Sequence, residues 1–400
     1  MPFIVGTAAE TTRNANTVMA RSFFPRAKKN IYPQLCSSYA SSRPVEPHAA
    51  IGSIPPLRAY KGSLGVTNIA SYSLDVPNLL FKNVIGIKQQ AMEFDQTRTI
   101  MQLADAVGLR LADFWDQLWA KRLLAGSTSG SQTVVFDGDG KTYTVTIDGQ
   151  PLFSASHPLG KNGANQSNII SGSLPSTNVA LVAQDIATTA QQMVNDAMQV
   201  IQKIKDWVDP SGMPLFPTLD TKQNLVFVVP PLLEMPAKLA FMAMNSTISQ
   251  TTNIAPSYIQ AKAVVSSGYL DGFPDPEDPT GVASVAPVNA TDYYVFITDD
   301  YVKPFYMQMF KPTGADGLFP RGYNADRMID AIRKAENGIT VDEATTFAST
   351  RVDTTFRRIG ADADAYTIQN DQFLASARLR GNIVYGPPFL SWRVKPSGGA

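Results

Sequence analysis

The stretch from Met92 to Gly126 constrains the fold most, because it predicts one helix far longer than the usual ~11–12 residues. Asp95 can cap its start, and Gly126 stands where a glycine commonly ends a helix. The stretch is too charged to span a membrane and lacks the sustained heptad repeat of a coiled coil. We therefore expect a half-buried strut in a large α+β protein. Its apolar residues recur about every 3.6 positions: Ile100, Leu103, Ala104, Val107, Leu111, Phe114, Leu118 and Leu123.

The composition allows a large core and close packing between copies. Hydrophobic residues make up 44% of the 400 residues, and 34 basic residues balance 34 acidic ones. This zero net charge argues against a dedicated nucleic-acid binder of high pI, and it lets identical copies pack without strong repulsion. Cys36 is the single cysteine, so no intrachain disulfide and no cysteine-based zinc site can form. The chain therefore suits a reducing compartment, and it shows neither a signal-peptide pattern nor an 18-residue apolar run.

Residues 1–58 have the composition of an arm. The segment is rich in proline, serine and alanine, shows no sustained periodicity and carries seven basic against two acidic residues, so it cannot build a core of its own. We expect it to drape over a neighbouring surface, the alternative being a disordered leader. Deleting residues 1–50 should then leave a folded subunit. The apolar residues that argue against a solvated tail are Phe3, Ile4, Val5, Phe23, Phe24, Ile31, Tyr32 and Leu35.

Residues 59–90 form two extended runs on either side of Pro77 and Asn78. The first run is rich in glycine, serine and threonine, which makes it a weakly self-supporting strand. Because a two-stranded ribbon is marginally stable alone, we expect this one to need a partner surface from another copy.

A second pair of strands is predicted at 131–150, around the turn Asp137-Gly138-Asp139-Gly140. Asp137, Asp139 and Asp148 fall at positions 1, 3 and 12 of an EF-hand loop. Position 5 is however Lys141, position 6 is Thr142 instead of glycine, and strands flank the loop where helices are required. We therefore predict no metal site.

A loop after this hairpin holds Ser154, Ser156 and His157, which suggests nucleophilic catalysis. A triad needs a base within hydrogen-bond reach of the serine, and neighbours in one loop rarely achieve that. The G-x-S-x-G elbow is absent, and Gly160-Lys161 lacks the spacing of a phosphate loop. We predict no catalytic, cofactor-binding or metal-ligating residue, and we keep a Ser/His hydrolase as a less favoured alternative.

The rest of the chain alternates helices and strands. Prolines stop the buried strand at 224–229, and the run 274–279 is a rigid acidic loop. Other predicted elements are helices at 179–207, 232–245, 326–335 and 342–349, a strand near 257–270, two strands in 291–312 around Asp299-Asp300, and a final strand, turn at Arg380-Gly381, and strand.

Two motifs, together with the order of the predicted elements along the chain, carry a family resemblance. The first is Leu152-Phe153-Ser154-Ala155-Ser156-His157-Pro158 followed by Ser167-Asn168, and the second is the ending that runs from Arg378 to Gly386. Over roughly 59–390 the chain resembles the major head subunit of Mu-type tailed phages, the gpT-like family of capsid proteins.

The resemblance implies the HK97-type capsid fold, an α+β architecture with an N-terminal arm, an extended E-loop, a P-domain with a long spine helix, and an A-domain. The hairpin at 131–150 and the helical segment at 313–362 depart from the pattern of the family and are treated as insertions. The implied map is an arm at 1–58, the E-loop ribbon at 59–90, the P-domain at 91–208 with a hairpin insertion at 131–150, the A-domain at 209–290, a P-domain return at 291–385 with an insertion at 313–362, and a return to the A-domain with a tail at 386–400.

The implied function is a non-enzymatic major capsid protein that self-assembles through hexamers and pentamers into the icosahedral shell around the double-stranded DNA of a tailed phage. Expected partners are copies of itself, a portal, scaffolding or decoration proteins, and packaged DNA in nonspecific contact, with no membrane and no cofactor. The expected location is the virion capsid, assembled in the bacterial host cytoplasm. An encapsulin-like nanocompartment shell is the alternative. Lys61, Lys82 and Lys88 lie in the expected E-loop, and nothing in the sequence assigns any of them to a covalent crosslink.

Overall fold

The computed structural model describes most of the chain in separate stretches. None of the helices in these stretches has the length and hydropathy of a membrane-spanning segment. The predicted helices at 326–335 and 342–349 and the proposed cap Asp95 lie outside them. The described residues are 21–53, 70–88, 99–128, 130–136, 138–242, 259–278, 280–287, 291–299, 302–310, 351–355 and 372–397.

The described elements mix helices and strands along the whole chain. The helices are α1 (21–27), α2 (Tyr32–Leu35), α3 (Thr99–Ala125), α4 (Asn178–Val182), α5 (Ile186–Asp206), α6 (Thr221–Asn224) and α7 (Glu234–Phe241). The strands are β1 (Cys36–Ser41), β2 (Val45–Ser53), β3 (Ala70–Pro77), β4 (Leu79–Lys88), β5 (Thr133–Phe136), β6 (Lys141–Thr144), β7 (Ile169–Pro175), β8 (Leu225–Val229), β9 (Ala263–Ser266), β10 (Phe273–Pro274), β11 (Ser284–Val285), β12 (Tyr293–Ile297), β13 (Phe305–Phe310), β14 (Arg351–Thr355), β15 (Gln372–Tyr385) and β16 (Ser391–Ser397).

The long helix α3 is the predicted strut, and it is buried mainly in its C-terminal half. Trp115, Leu118, Trp119 and Leu123 are at most 1% exposed, whereas Leu109 in the first half is 40% exposed. The helix ends at Ala125, where the Gly126 N–H bonds to a carbonyl in the last turn, as predicted.

The first sheet packs its strands beside this helix. β15 is its longest strand and is antiparallel to β13, β14 and β4, while β1 adds to β13 in parallel. Gly381 pairs with Met309 on β13 and with Leu79 on β4, so β13 and β4 lie on opposite sides of β15. The strand order is therefore β1-β13-β15-β4, with β14 on the same side of β15 as β13.

The predicted turn at Arg380-Gly381 is wrong, because β15 runs unbroken from Gln372 to Tyr385. Gly381 serves close packing instead. A Cβ there would lie 2.3 Å from the Gln308 carbonyl oxygen and 2.7 Å from the Trp115 ring. Glycine is found where another backbone approaches a strand closely, and that need can be mistaken for a turn signal.

The second sheet lies between two cores. Its order is β7-β16-β12-β8-β9. On β8, Val226 and Val228 face the core shared with α3 and the first sheet, whereas Leu225, Phe227 and Val229 face the core under α5 and α7. All five are at most 1% exposed, which explains why this strand reads as a continuous apolar run.

The two predicted strands within 291–312 exist, but they belong to different sheets. β12 lies in the second sheet between β16 and β8, and β13 lies in the first sheet between β1 and β15. The expected boundary at 208/209 also falls inside one packed group, because α5 and β7 pack with β8 in the second core. The P-domain and A-domain limits stay a prediction.

The expectation that residues 1–58 drape over a neighbour is wrong for residues 21–41. Phe23, Phe24, Tyr32, Leu35 and Cys36 are at most 4% exposed within this chain alone. Their apolar content therefore finds its partner surface on α3 and, through β1, on the first sheet. Residues 1–20 lie outside the described residues.

The ribbon prediction is correct in its strands and wrong in their pairing. β3 and β4 flank Asn78, but β3 pairs with β2 and β4 pairs with β15. The two-stranded ribbon therefore consists of 45–53 and 70–77, and the residues that connect its strands, 54–69, lie outside the described residues. The hairpin predicted at 131–150 is present as β5 and β6.

Candidate functional site

The ribbon of β2 and β3 is the candidate interface with other copies. In the described part of the chain neither strand hydrogen-bonds to a third strand. On β3 the exposed Ser73 and Asp75 alternate with Leu74 and Val76, which are at most 2% exposed. One face of the ribbon therefore packs on its own subunit, while its edges keep backbone groups that can pair with another chain.

Asp116 joins the N-terminal segment to α3. Its carboxylate accepts hydrogen bonds from the backbone N–H groups of Ile31 and Tyr32, at 2.9–3.0 Å. These groups lie at the start of α2, where N–H donors lack helical partners. One turn earlier on α3, Asp113 forms an ion pair of 2.5 Å with Arg26. The segment is thus held by polar contacts as well as by its apolar residues.

Burial raises the pKa of Asp116 to about 6, although the hydrogen bonds from Tyr32 and Ile31 act to lower it. Desolvation outweighs them because the side chain is almost fully enclosed and no cation touches its oxygens among the described residues. The neighbouring negative charge of Asp113 raises the pKa further, and the positive charge of Arg26 partly opposes it.

The acidic loop at 274–278 clamps onto two cations of α3. Lys121 contacts both Asp275 and Glu277 at 2.6 Å, and Arg122 contacts Glu277 at 2.5 Å. Burial acts to raise the pKa of Glu277, but the charges of Arg122 and Lys121 prevail and lower it. Arg122 also donates to the Ile383 carbonyl and to Asn382, so the clamp reaches β15.

The serine and histidine candidates do not form a catalytic pair. His157 is fully buried, and its Nδ1 lies 2.6 Å from Oδ2 of Asp148. The hydroxyls of Ser154 and Ser156 lie 3.3 Å from each other, and Ser154 is half-buried whereas Ser156 is exposed. No hydrogen bond joins either hydroxyl to His157 among the bonds of the described residues. This histidine instead ties the hairpin region to its loop.

Asn168 explains why the LFSASHP loop is followed by Ser-Asn. Its amide nitrogen donates to the carbonyls of Leu152, Pro388 and Ser391, and its oxygen accepts from the Ser154 N–H. The motif therefore fastens the loop to the start of β16. Its role in the described structure is to hold backbone together.

The carboxylates that match EF-hand positions, and for which no metal site was predicted, are engaged in other contacts. Asp139 accepts from the Lys141 N–H and the Tyr143 hydroxyl, and Asp148 pairs with His157. Asp137 lies outside the described residues. The described part of the chain holds no group of three side chains placed to bind a metal.

Three residues that fasten the elements together carry little signal in the sequence, namely Asp116, Glu277 and Gln308, whose side-chain nitrogen donates to the Val76 carbonyl. Asp116 carried a signal, because it is a carboxylate beside the apolar stripe of α3, flanked by Trp115 and close to Leu118. A buried charge of this kind needs partners, so it marks a contact. Glu277 was assigned only to a rigid loop, and Gln308 carried no signal beyond being polar in an aromatic strand.

Comparison with known proteins supports the resemblance. Residues 15–185, less than half of the chain, match the family of the Mu-like prophage major head subunit gpT. No curated protein sequence matches at a significant level. The asymmetric unit of the mature capsid of bacteriophage PhiM1 matches with a TM-score of 0.50 and 10% identity, over 92% of this chain and 88% of that one.

Two further phage capsids show lower similarity. The capsid of the cyanophage P-SCSP1u has a TM-score of 0.48 and 12% identity, over 92% of this chain and 88% of that one. The capsid of bacteriophage JBD30 has a TM-score of 0.39 and 12% identity, over 91% of this chain. The chain spans 64% of the JBD30 chain, which is less than two thirds of its length.

The match to the PhiM1 capsid agrees with the geometry. The described contacts fasten backbone segments together, as in a structural protein, and the PhiM1 match shows the fold of a capsid subunit over nearly the whole chain. Because the family match is to a phage head subunit, the encapsulin-like alternative is not favoured. The chain therefore has the HK97-type capsid fold expected from the resemblance, and its residues 15–185 match the Mu-like gpT head-subunit family.

Proposed function

We propose that copies of this chain assemble through hexamers and pentamers into the icosahedral shell that encloses the double-stranded DNA of a tailed phage. The observation that carries the proposal is the ribbon of β2 and β3, whose strands pair only with each other in the described chain. A ribbon of two strands is only marginally stable in water, so a capsid subunit that carries one gains stability when the ribbon packs against a neighbouring subunit.

The ribbon is proposed to lie over the adjacent subunit. Closed symmetry supplies each ribbon with a partner surface and leaves no ribbon unpaired, which an open chain of subunits cannot do. A subunit surrounded by neighbours buries more than the ~1,600 Å² of a standard interface, summed over its contacts. The zero net charge of the chain supports such packing, because copies do not repel one another strongly.

Contact with DNA is proposed to be weak and nonspecific. The exposed cations of the N-terminal segment include Arg21, Lys28 and Lys29, and phosphate contacts by such groups weaken as salt rises. A portal and scaffolding or decoration proteins are further proposed partners. Assembly is proposed to take place in the cytoplasm of the bacterial host.

The protein is proposed to have no enzymatic activity. The match of residues 15–185 to a family of structural head subunits supports this. The pairing of His157 with Asp148, apart from the two serine hydroxyls, also supports it, because a serine nucleophile needs its base within hydrogen-bond reach.

Negative-stain electron microscopy of the purified protein, with light scattering, tests the proposal. We expect closed particles tens of nanometres across, or hexamers and pentamers that close when salt is raised or when a scaffolding protein from the same phage is added. A protein that stays a monodisperse monomer under both conditions would contradict the shell function. Tubes or single rings would instead indicate a tail or portal component.

A further inference from the structure

The base of the ribbon sits across the middle of the first sheet. β1 leads into β2, and β3 leads into β4, so the two ribbon strands start from β1 and β4. In the strand order β1-β13-β15-β4 these are the two outer strands. The ribbon must therefore pass over β13 and β15, which lie between them.

Two buried amides stand at this crossing. Gln308 on β13 and Asn382 on β15 are directly opposite each other in the sheet, and both are 0% exposed. Residues opposite each other on antiparallel strands point to the same face. The Gln308 side-chain nitrogen donates to the Val76 carbonyl at 3.1 Å, and the Asn382 side-chain nitrogen donates to the Pro77 carbonyl at 3.1 Å. The amides thus hold two consecutive carbonyls at the end of β3.

Asn78, the residue after Pro77, ties this end of β3 to the segment that leads into β2. Its side-chain nitrogen donates to the Ser41 hydroxyl at 2.8 Å and to the Arg43 carbonyl at 2.6 Å, and its own N–H donates to the Pro44 carbonyl. The two junctions that lead into the ribbon, 41–45 and 77–79, are therefore tied to each other as well as to the sheet.

His48 extends the same network into the ribbon. Because the Gln308 nitrogen donates to Val76, its oxygen must accept, so the His48 Nε2 at 2.7 Å carries the proton. The imidazole ring also lies 5.0 Å from the ring of Tyr39 and 6.2 Å from that of Tyr306. Gln308 therefore bridges β2 and β3 at their base.

Polar contacts of this kind control direction in a way that apolar burial does not. Hydrophobic contact is non-directional, so a ribbon held only by Leu74 and Val76 could tilt or slide at little cost. Hydrogen bonds require both distance and angle, and a buried amide loses its bonds if the backbone beside it shifts.

We propose that Gln308 and Asn382 are positioning residues that fix the direction in which the ribbon leaves its subunit. This inference rests on the proposed shell function, in which that direction decides where the ribbon meets the neighbouring copy. The two amides act through the backbone of Val76 and Pro77 and contact no neighbour themselves in this arrangement.

A distance measurement within one subunit tests the proposal. Spin labels are placed on Ser73→Cys in the ribbon and Lys203→Cys on α5, both exposed, while the native Cys36 is buried. In dilute, unassembled full-length protein, we expect Gln308→Met and Asn382→Leu each to at least double the width of the distance distribution. An unchanged width in both variants would overturn the proposal.

Asn168→Leu is the matched control. Asn168 is also a 0% exposed amide that donates to backbone carbonyls, but it fastens the loop to β16 and does not touch the ribbon. We expect it to destabilise the protein and leave the distance distribution unchanged. If it broadens the distribution as much as Gln308→Met, the effect is general loosening and the proposal fails.

A milder variant covers the case in which Gln308→Met does not fold. His48→Phe keeps an aromatic ring beside Tyr39 and Tyr306 and removes the bond to Gln308. We expect a smaller broadening of the same distribution. The proposal would be overturned if the distance distributions of His48→Phe and Asn382→Leu were both as narrow as that of the protein without these substitutions.

Shell yield separates this inference from the proposed function. We expect at least a tenfold loss of closed particles for Gln308→Met relative to wild type, at equal soluble protein. If wild type forms no shells, the proposed function fails while the distance measurement still decides the role of the amides. If wild type and Gln308→Met form shells equally well, the function stands and the positioning role is wrong.

Discussion

The N-terminal segment 21–41 and the ribbon of β2 and β3 are neighbours in the chain, yet they find their partners in different places. The segment is buried on α3 and adds β1 to the first sheet of its own subunit. The ribbon is fastened only at its base and along one face, and its strands pair with no third strand in the described chain. Two stretches of similar non-globular composition thus serve different ends. Composition shows that a segment needs a surface, and the fold shows whose surface it is.

The largest expected effect comes from removing an apolar anchor of the docked segment. Leu35 is 0% exposed, so Leu35→Ala should lower the free energy of unfolding by about 2–5 kcal/mol. Leu80→Ala on β4 is the control, since Leu80 is 53% exposed and should cost less than about 0.5 kcal/mol. Urea unfolding of the unassembled subunit measures both. Equal losses would mean that the segment is not docked on its own chain.

The next effect is a pH dependence of the docked segment. The pKa of Asp116 is raised from 3.8 to about 6, so the folded chain keeps its proton over a range in which the unfolded chain has lost it. The contribution of Asp116 to the free energy of unfolding should therefore be greatest below about pH 4. It should be lost as the pH rises through about 6, by about 3 kcal/mol in all.

Comparison with Asp116→Asn isolates that contribution, because other carboxyl groups titrate in the same range. Unfolding free energies measured from pH 4 to pH 7 should fall less steeply with pH in the variant. Hydrogen exchange at the amides of Ile31 and Tyr32 reports on the segment itself, since both donate to Asp116. Parallel pH profiles for the two proteins would contradict the assignment.

A smaller effect is expected at the acidic loop. Glu277→Gln removes the charge that pairs with Lys121 and Arg122, and it should cost about 1–3 kcal/mol because Arg122 is mostly buried. Glu234→Gln is the matched control, since its pair with Lys238 is more exposed and lies along one helix, where such pairs are worth about 0.3–0.5 kcal/mol. Thermal or urea unfolding distinguishes the two. Similar small losses would show that the clamp contributes little.

The smallest effect on stability is expected in the ribbon. Ser73→Lys lies on its exposed face and should change the unfolding free energy by less than about 0.5 kcal/mol. It should nevertheless reduce the yield of closed shells, because a charged side chain there opposes contact with a neighbour. Val135→Lys on the exposed face of β5 serves as the control. A ribbon variant that lowers stability but not assembly would reverse the comparison drawn above.

Much of the local structure could be predicted from the sequence. The period of α3, the apolar run of β8 ended by Pro230, and the turn between β5 and β6 are local signals, and each element appears where it was expected. The helix expected at 179–207 is instead α4 and α5, with Thr177 and Asp185 capping their starts. A cap inside a periodic stretch marks such a break.

The pairing of distant strands could not be predicted in the same way. Nothing near β12 and β13 indicates that the chain leaves the second sheet at Ile297 and enters the first sheet eight residues later, at Phe305. Likewise, the need for Gly381 lies in Trp115 and in the Gln308 backbone, far away in sequence. The contacts that matter for the ribbon base are also of this kind, since Gln308 and Val76 are 232 positions apart.

The deletion expected to leave a folded subunit must also be revised. Removing residues 1–50 would take away Phe23, Tyr32 and Leu35 from the core and β1 from the first sheet. Such a protein would fail to form shells because it is damaged, whatever the role of the arm. Substitutions in the ribbon, which leave the core intact, address assembly more directly.

The second sheet has a mechanical consequence, because its strands β8 and β12 are buried on both faces. One face of this wall of strands packs against α5 and α7, and the other packs against α3 and the first sheet. Packed interiors compress little, so the wall cannot absorb a displacement by yielding. We therefore expect a load applied to α5 and α7 to be passed through β8 and β12 to α3.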